Sequence, residues 1–384
     1  MYLLLYCLNY TEHQKLYKHK NKIKKKNIPF KNYLNFDEFI LYHSYLPIKK
    51  NIRKKNHNTK YINYKIIKNF FNLSEFSLLR NKCNWKIFRI LQNKAWVKSI
   101  DVKKNANWFV SGSVDRTIKL WKIFSEKPKF IYTGHAEEIT CVELGIGTPY
   151  LFSSSLDNTI KCWDLEECKV IKNYFGHKSG VETIKIHHNL NVLISGGKDS
   201  TCRIWDIKTS LELFSFSGHK SSVSSILVNE KEPFLITGGR DQTLKFWDLR
   251  SNECLFSIHF ENQSIKHLKK KNGSSKFYLL LNNSILNLYT NYFEYPESSQ
   301  KKTYNLNYNC FDISSRGTMI IGTSLGEFLQ FNSNNLHFIN KFFSPKQKNI
   351  LKSEKIISCL IFTSTGDMFL SGGCDKSIKL WVCY

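Results

Sequence analysis

SGSVDRTIKLW, spanning Ser111–Trp121, places a serine four residues before an aspartate and a tryptophan six residues after it. The frame returns as Ser153/Asp157/Trp163, Ser195/Asp199/Trp205, Thr237/Asp241/Trp247 and Ser371/Asp375/Trp381. Asp115, Asp157, Asp199 and Asp241 stand 42 residues apart, a fixed period that marks a repeat array. Gly-His lies 22 residues upstream of three of them, at Gly134-His135, Gly176-His177 and Gly218-His219. Each period has room for four short antiparallel strands, a to d. The histidine falls before strand a, the hydroxyl on b, the aspartate in the b–c turn and the tryptophan on c.

Those four side chains can meet. The indole N–H donates to the hydroxyl, the hydroxyl to one imidazole nitrogen, and the other imidazole N–H to the aspartate, so every buried donor finds an acceptor. Three complete sets are expected: His135, Ser153, Asp157 and Trp163; His177, Ser195, Asp199 and Trp205; His219, Thr237, Asp241 and Trp247. A Ser-His-Asp set also belongs to hydrolases. Several copies in one chain, each with an indole on the hydroxyl, describe scaffolding and not an activated nucleophile. The repeat resembles the WD40 repeat, and the resemblance implies a β-propeller.

Extending the 42-residue step gives 283 and 325. Asn283 lies in FYLLLNNSILNLY with Tyr289 expected at the tryptophan position, and Leu325 lies in MIIGTSLGEFLQF with Phe331 there. Leu279 and Ile321 replace the hydroxyl, so blades five and six are read as packed on apolar contacts with no orphaned hydroxyl. Asp375 follows 50 residues after Leu325, and the extra length is assigned to the loop Ser344–Asn349. The last blade runs out after strand c. Trp85–Leu91 (WKIFRIL) alternates as a strand and is expected to supply its missing outer strand, because a ring must not leave an open sheet edge. The expectation is all-β: a seven-bladed WD40 propeller over 84–384, closed by an N-terminal strand. A basic, disordered, low-complexity tail is expected over 1–83.

Charge and cysteines narrow the function classes. The 384-residue chain has a net charge of +26, and residues 1–82 hold 18 Lys/Arg against 4 Asp/Glu. Runs at Lys22–Lys26 and Lys49–Lys55 suit nuclear import or contact with RNA phosphates, although the whole chain is rich in Lys and Asn. Eleven cysteines without a CxxC, with Cys141, Cys310 and Cys359 at similar apolar strand positions, read as a reduced compartment without a zinc site. Met1–Leu8 lacks a basic lead-in and is too short to span a bilayer, so no secretory signal and no membrane are expected. Gly145–Pro149 reads as an a–b turn and not a nucleotide loop; Asn272-Gly273-Ser274 and Asn282-Asn283-Ser284 read as empty glycosylation matches. No cofactor and no small-molecule substrate are expected, and the chain is read as not an enzyme.

Three stretches are more particular than the general repeat: AWVKSIDVKKNANWFVSGSVDRTIKLW (Ala95–Trp121), PYLFSSSLDNTIKCWDLEECKVIKNYFGH (Pro149–His177) and KDSTCRIWDIKTS (Lys198–Ser210). With Trp85–Arg89 they resemble the pleiotropic-regulator WD40 proteins of the spliceosome's NineTeen complex. The likeness covers blades one to four; blades five to seven fit in outline, and Gln92-Asn93 replaces the first Gly-His. It implies a nuclear, non-enzymatic scaffold in pre-mRNA splicing with NineTeen-complex partners, and snRNA or pre-mRNA touched through the basic tail. Trp247-Asp248-Leu249-Arg250 matches the WDxR box of substrate receptors for cullin-type ubiquitin ligases, the alternative function.

The repeat also shows where partners would sit. In an antiparallel blade the d–a loop and the b–c turn share one rim. Residues just before strand a (Trp96, Glu138, Gly180, Ser222, Ser264) and just before the turn position (Val114, Leu156, Lys198, Arg240, Asn282, Ser324, Cys374) are expected there. Trp96, Lys198 and Arg240 are the expected partner-binding residues, since exposed aromatics and cations commonly anchor interfaces.

Overall fold

The computed structural model describes residues 84–383, apart from 104–107, 231, 272–275, 290–301, 304–306 and 345–354. The 1–83 tail with its lysine runs, Asn272-Gly273-Ser274 and most of the loop assigned to the extra length before the last blade lie outside the described residues. The described residues hold 28 strands in seven four-stranded antiparallel sheets and no α-helix. Blade one runs Val97–Val102, Trp108–Ser113, Thr117–Lys122 and Phe130–Thr133 as strands a to d. The other a strands are Ile139–Leu144, Val181–His187, Val223–Val228, Ile265–Lys270, Tyr308–Ile313 and Ile357–Phe362. Each a strand lies against the a strand of the next blade, blade seven against blade one included, so the seven together ring a central channel.

Sequence explains why the blades stack. Strand b is apolar in its first half and small in its second, as in Val192–Gly197 (VLISGG), which is buried along its whole length. The small half is where the next blade's strand a leans in: a Cβ on Gly196 would stand 2.7 Å from Val223, and one on Gly372 would stand 2.8 Å from Val97. The second of these contacts joins blade seven to blade one.

Ring closure is as expected. Trp85–Gln92 pairs antiparallel with Ser377–Cys383, and the seventh sheet contains both ends of the propeller. Around the seam Trp85, Phe362, Phe369 and Trp381 pack edge-on or stacked, with Phe328 of blade six against Phe369 and Trp381.

Every a strand also carries a bulge that the sequence pattern does not reveal. The register against strand b slips between Val97/Ser99, Ile139/Cys141, Val181/Thr183, Val223/Ser225, Ile265/His267, Tyr308/Cys310 and Ile357/Cys359. The extra residue turns toward the neighbouring blade. Thr140 Oγ1 donates to the Val181 carbonyl at 2.6 Å, Ser224 Oγ to Ile265, and Ser358 Oγ to Val97. Bulges concentrate where a sheet re-aims side chains for function.

Blade five brings one correction. Phe277 pairs with Leu288, where the equivalent residues of blade three are Leu193 and Trp205. Leu288, not Tyr289, therefore fills the tryptophan position, because the b–c turn of blade five is one residue shorter. Phe331 is in place as read, paired with Met319. The tetrad positions Ile321 and Phe331 of blade six are buried and apolar as read, and next to them the fully buried Gln330 amide has no hydrogen-bond partner among the described residues.

Candidate functional site

The three predicted tetrads assemble. His135 Nε2 meets Ser153 Oγ at 2.8 Å, its Nδ1 meets Asp157 at 2.7 Å, and Trp163 Nε1 donates to Ser153 Oγ at 2.8 Å. His177, Ser195, Asp199 and Trp205 repeat this at 2.7, 2.9 and 2.8 Å. His219, Thr237, Asp241 and Trp247 do so at 2.7, 2.9 and 2.8 Å. Each aspartate also holds the b–c turn: Asp157 accepts the Thr159 N–H at 3.0 Å and the Ala136 N–H at 3.0 Å. Those bonds offset the left-handed backbone of the following residue, φ 66° at Asn158, 61° at Ser200 and 65° at Gln242, a conformation that non-glycine residues resist. Burial pushes the Asp157 carboxyl up, but the His135 ring and the Thr159 hydroxyl hold it well below its ordinary range. The hydroxyls are saturated by an indole and an imidazole, so they brace the blade and are not positioned to attack a substrate.

Where the histidine is missing, a lysine takes over. Lys119 Nζ reaches Asp115 at 2.6 Å and also Asn93, and Lys379 Nζ reaches Ser344 at 2.6 Å and also Asp375. Both lysines are buried. The same position in blades two to four holds Lys161, Arg203 and Lys245, which bond Asn173, bond Glu212 and lie over the Trp247 ring. Blade seven keeps a small cavity beside Lys379, lined by Ser371, Asp375 and Ser377, and the Ser377 hydroxyl is buried without a partner among the described residues.

The two predicted sets of rim residues meet through the backbone. Val114 N–H donates to Trp96 O at 2.9 Å, Leu156 to Glu138 at 3.1 Å, Lys198 to Gly180 at 2.8 Å, and Arg240 to Ser222 at 2.9 Å. Ser324 bonds Asn307 and Cys374 bonds Ile356, each at 3.0 Å; in blade five Ser264 Oγ donates to Asn282 Oδ1 at 2.9 Å. Trp96 is 44% exposed, so it is not packed away under a neighbouring loop. Lys198 and Arg240 are exposed as well. Cys374 is a correction: it is buried, so blade seven presents no thiol at that position.

The sequence did not point to the charged residues at the strand-a bulges. Lys98 pairs with Glu138 at 2.6 Å, Glu182 with Arg240 at 3.1 Å, and Lys266 Nζ reaches Asn309 Oδ1 at 3.1 Å and the Tyr308 carbonyl. On the opposite rim the WDxR arginine is bound within its own turn. Arg250 donates its backbone N–H to Asp248 at 2.8 Å and its guanidinium to the same carboxylate at 3.2 and 3.3 Å. Asp164 and Asp206 cap the equivalent turns.

Charged strand-a residues pair between neighbouring blades in the channel. Glu143 pairs with Lys185 at 2.9 Å and Asp312 with Lys269 at 3.3 Å, while Asp101 accepts the Leu144 N–H at 2.7 Å and forms no ion pair among the described residues. Burial, and next the Glu143 charge, push the Asp101 carboxyl up to about 6. A carboxyl raised in the folded state binds a proton there that the unfolded chain has already released, so its contribution to stability falls as pH rises from about 4 to about 6. Asp101→Asn should therefore gain melting temperature relative to the unsubstituted chain as pH climbs through that window, with the gain level above pH ~7. A difference that stays flat from pH 4 to 8 would show that Asp101 titrates normally.

Seven four-stranded blades in a ring, braced by repeated His-Ser/Thr-Asp-Trp sets and presenting a charged rim with an exposed indole, define a β-propeller that works as an interaction scaffold. The family described as "WD domain, G-beta repeat" matches residues 85–122, 126–164, 168–206, 211–248 and 345–382, together half of the chain, and the chain belongs to the WD40 family. The unmatched interval from 249 to 344 contains all of blades five and six, where the tetrads are lost. No curated protein matches the chain. No helix among the described residues is long and apolar enough to cross a membrane.

Proposed function

We propose that this protein is a non-enzymatic scaffold in pre-mRNA splicing, holding components of the NineTeen complex together in the nucleus. The observation that carries the platform reading is the rim on which Trp96 stands 44% exposed, with Lys198 and Arg240 exposed beside the same channel mouth. A rigid ring offers several partners fixed positions at once, which suits a protein that acts by contact. The splicing assignment draws on the resemblance of blades one to four to pleiotropic-regulator proteins. The basic tail adds salt-sensitive affinity for RNA or import receptors.

Depleting the protein and sequencing total RNA tests this. Retained introns are expected, together with recovery of spliceosomal proteins and small nuclear RNAs on the purified full chain. Recovery should survive Arg250→Ala, in keeping with a guanidinium already bound to Asp248. Normal splicing, with loss of a cullin adaptor from the Arg250→Ala variant and a stabilised substrate on depletion, would replace this reading with a ubiquitin-ligase receptor.

A further inference from the structure

The rim is not evenly charged, and its imbalance names a partner chemistry. Three cations stand on consecutive blades at the channel mouth: Lys198 in the b–c turn of blade three, Arg240 in that of blade four, and Lys266 at the strand-a bulge of blade five. Lys178 and Lys220, which open the d–a loops of blades three and four, lend their backbone N–H groups to Asp199 and Asp241, leaving their side chains on the same rim. The carboxylates beside them are already committed. Asp199 and Asp241 are bound to His177 and His219, and Glu182 is already engaged by Arg240 at 3.1 Å. Lys266 is satisfied by neutral oxygens of Tyr308 and Asn309 and has no carboxylate paired with it among the described residues. Burial depresses its pKa, and the Arg240 charge depresses it further, as expected of like charges held close by the fold.

Building on the platform reading, we infer that the rim of blades three to five binds an acidic, extended segment of a partner protein, its carboxylates lying between Lys198, Arg240 and Lys266. Bound carboxylates relieve the repulsion between the two cations and give Lys198 a counter-ion, and long-range attraction speeds encounter. A protein segment is favoured over single-stranded RNA by the shape of the chemistry. Sequence-tolerant RNA grooves stack successive bases on aromatic side chains, and Trp96 on blade one is the only large aromatic among the predicted rim positions.

The test uses the full chain and two labelled probes, a glutamate-rich twelve-residue peptide and a uridine oligomer of equal charge, followed by fluorescence anisotropy at several salt concentrations. The tail is the same in every variant, so differences report the rim. Lys198→Glu combined with Arg240→Glu should weaken peptide binding at least tenfold and flatten its salt dependence. The control Lys208→Glu with Arg250→Glu on the opposite rim should change neither. Equal peptide binding by both double variants overturns the inference, as does RNA binding that is tighter than peptide binding and lost with the same two residues. Loss of partner capture on Trp96→Ala, with peptide binding indifferent to charge reversal, would leave the platform intact and sink only the acidic partner.

Discussion

Deleting residues 85–91 is expected to open blade seven and destabilise the propeller by more than about 5 kcal/mol, since a single buried Trp or Leu truncation already costs about 2–5. The deletion removes Trp85 and Leu91, both buried, and strips the outer pairing from Ser377–Cys383. Hydrogen exchange read by segment is the measurement. Protection should vanish first in Ser377–Cys383 and next in Met368–Gly373, and fall also in Val97–Val102, whose first residue receives the Ser358 hydroxyl. Leu91→Ala is the graded version, folded but weakened. Unchanged exchange in blade seven after the deletion would mean that the ring does not depend on its seam.

Trp205→Ala is expected to cost about 3–5 kcal/mol, because it empties a fully packed site and leaves hydroxyl and imidazole without their cover. The indole is 1% exposed, meets Tyr174 and His177 at ring distances of 6.0 Å each, and donates to Ser195 at 2.8 Å. Trp205→Phe separates the terms: it keeps much of the packing and removes the N–H, so about 1 kcal/mol is expected. His177→Ala falls between, at about 1–3 kcal/mol, by stranding Ser195 and Asp199. Chemical denaturation of the three variants gives the order. Should Trp205→Phe cost as much as Trp205→Ala, the hydrogen bond and not the packing would be the larger part.

What was legible in the sequence is what the period encodes. Spacing alone located the tetrads and, Cys374 apart, the two rim sets, because each is a fixed offset within one repeat; the outer strand was legible from the alternation of Trp85–Leu91 and the need to close the ring. Errors arose where the offset fails. Tyr289 was misplaced because a one-residue shortening of a turn leaves both flanking strands apolar, and apolar strands look alike when shifted. Lys119 and Lys379 were invisible as histidine substitutes for a different reason: a cation four residues after the aspartate occurs in all five well-kept blades, and only the absence of the ring draws it inward. The bulges had no signal at all. Lys98, Glu182 and Lys266 read as ordinary strand residues until the slip in register turns them onto the rim.

The seam in blade seven also bears on how the protein is made. Trp85–Gln92 leaves the ribosome before any other strand of the propeller, and its partner Ser377–Cys383 leaves last. Through the synthesis of all the intervening blades that first strand has no mate, and it carries Phe88 and Ile90, which are exposed even in the finished ring. An apolar strand with an open edge is an invitation to pair with the wrong neighbour. Nascent chains stalled before residue 377 are therefore the ones expected to aggregate, because their first strand still lacks its mate.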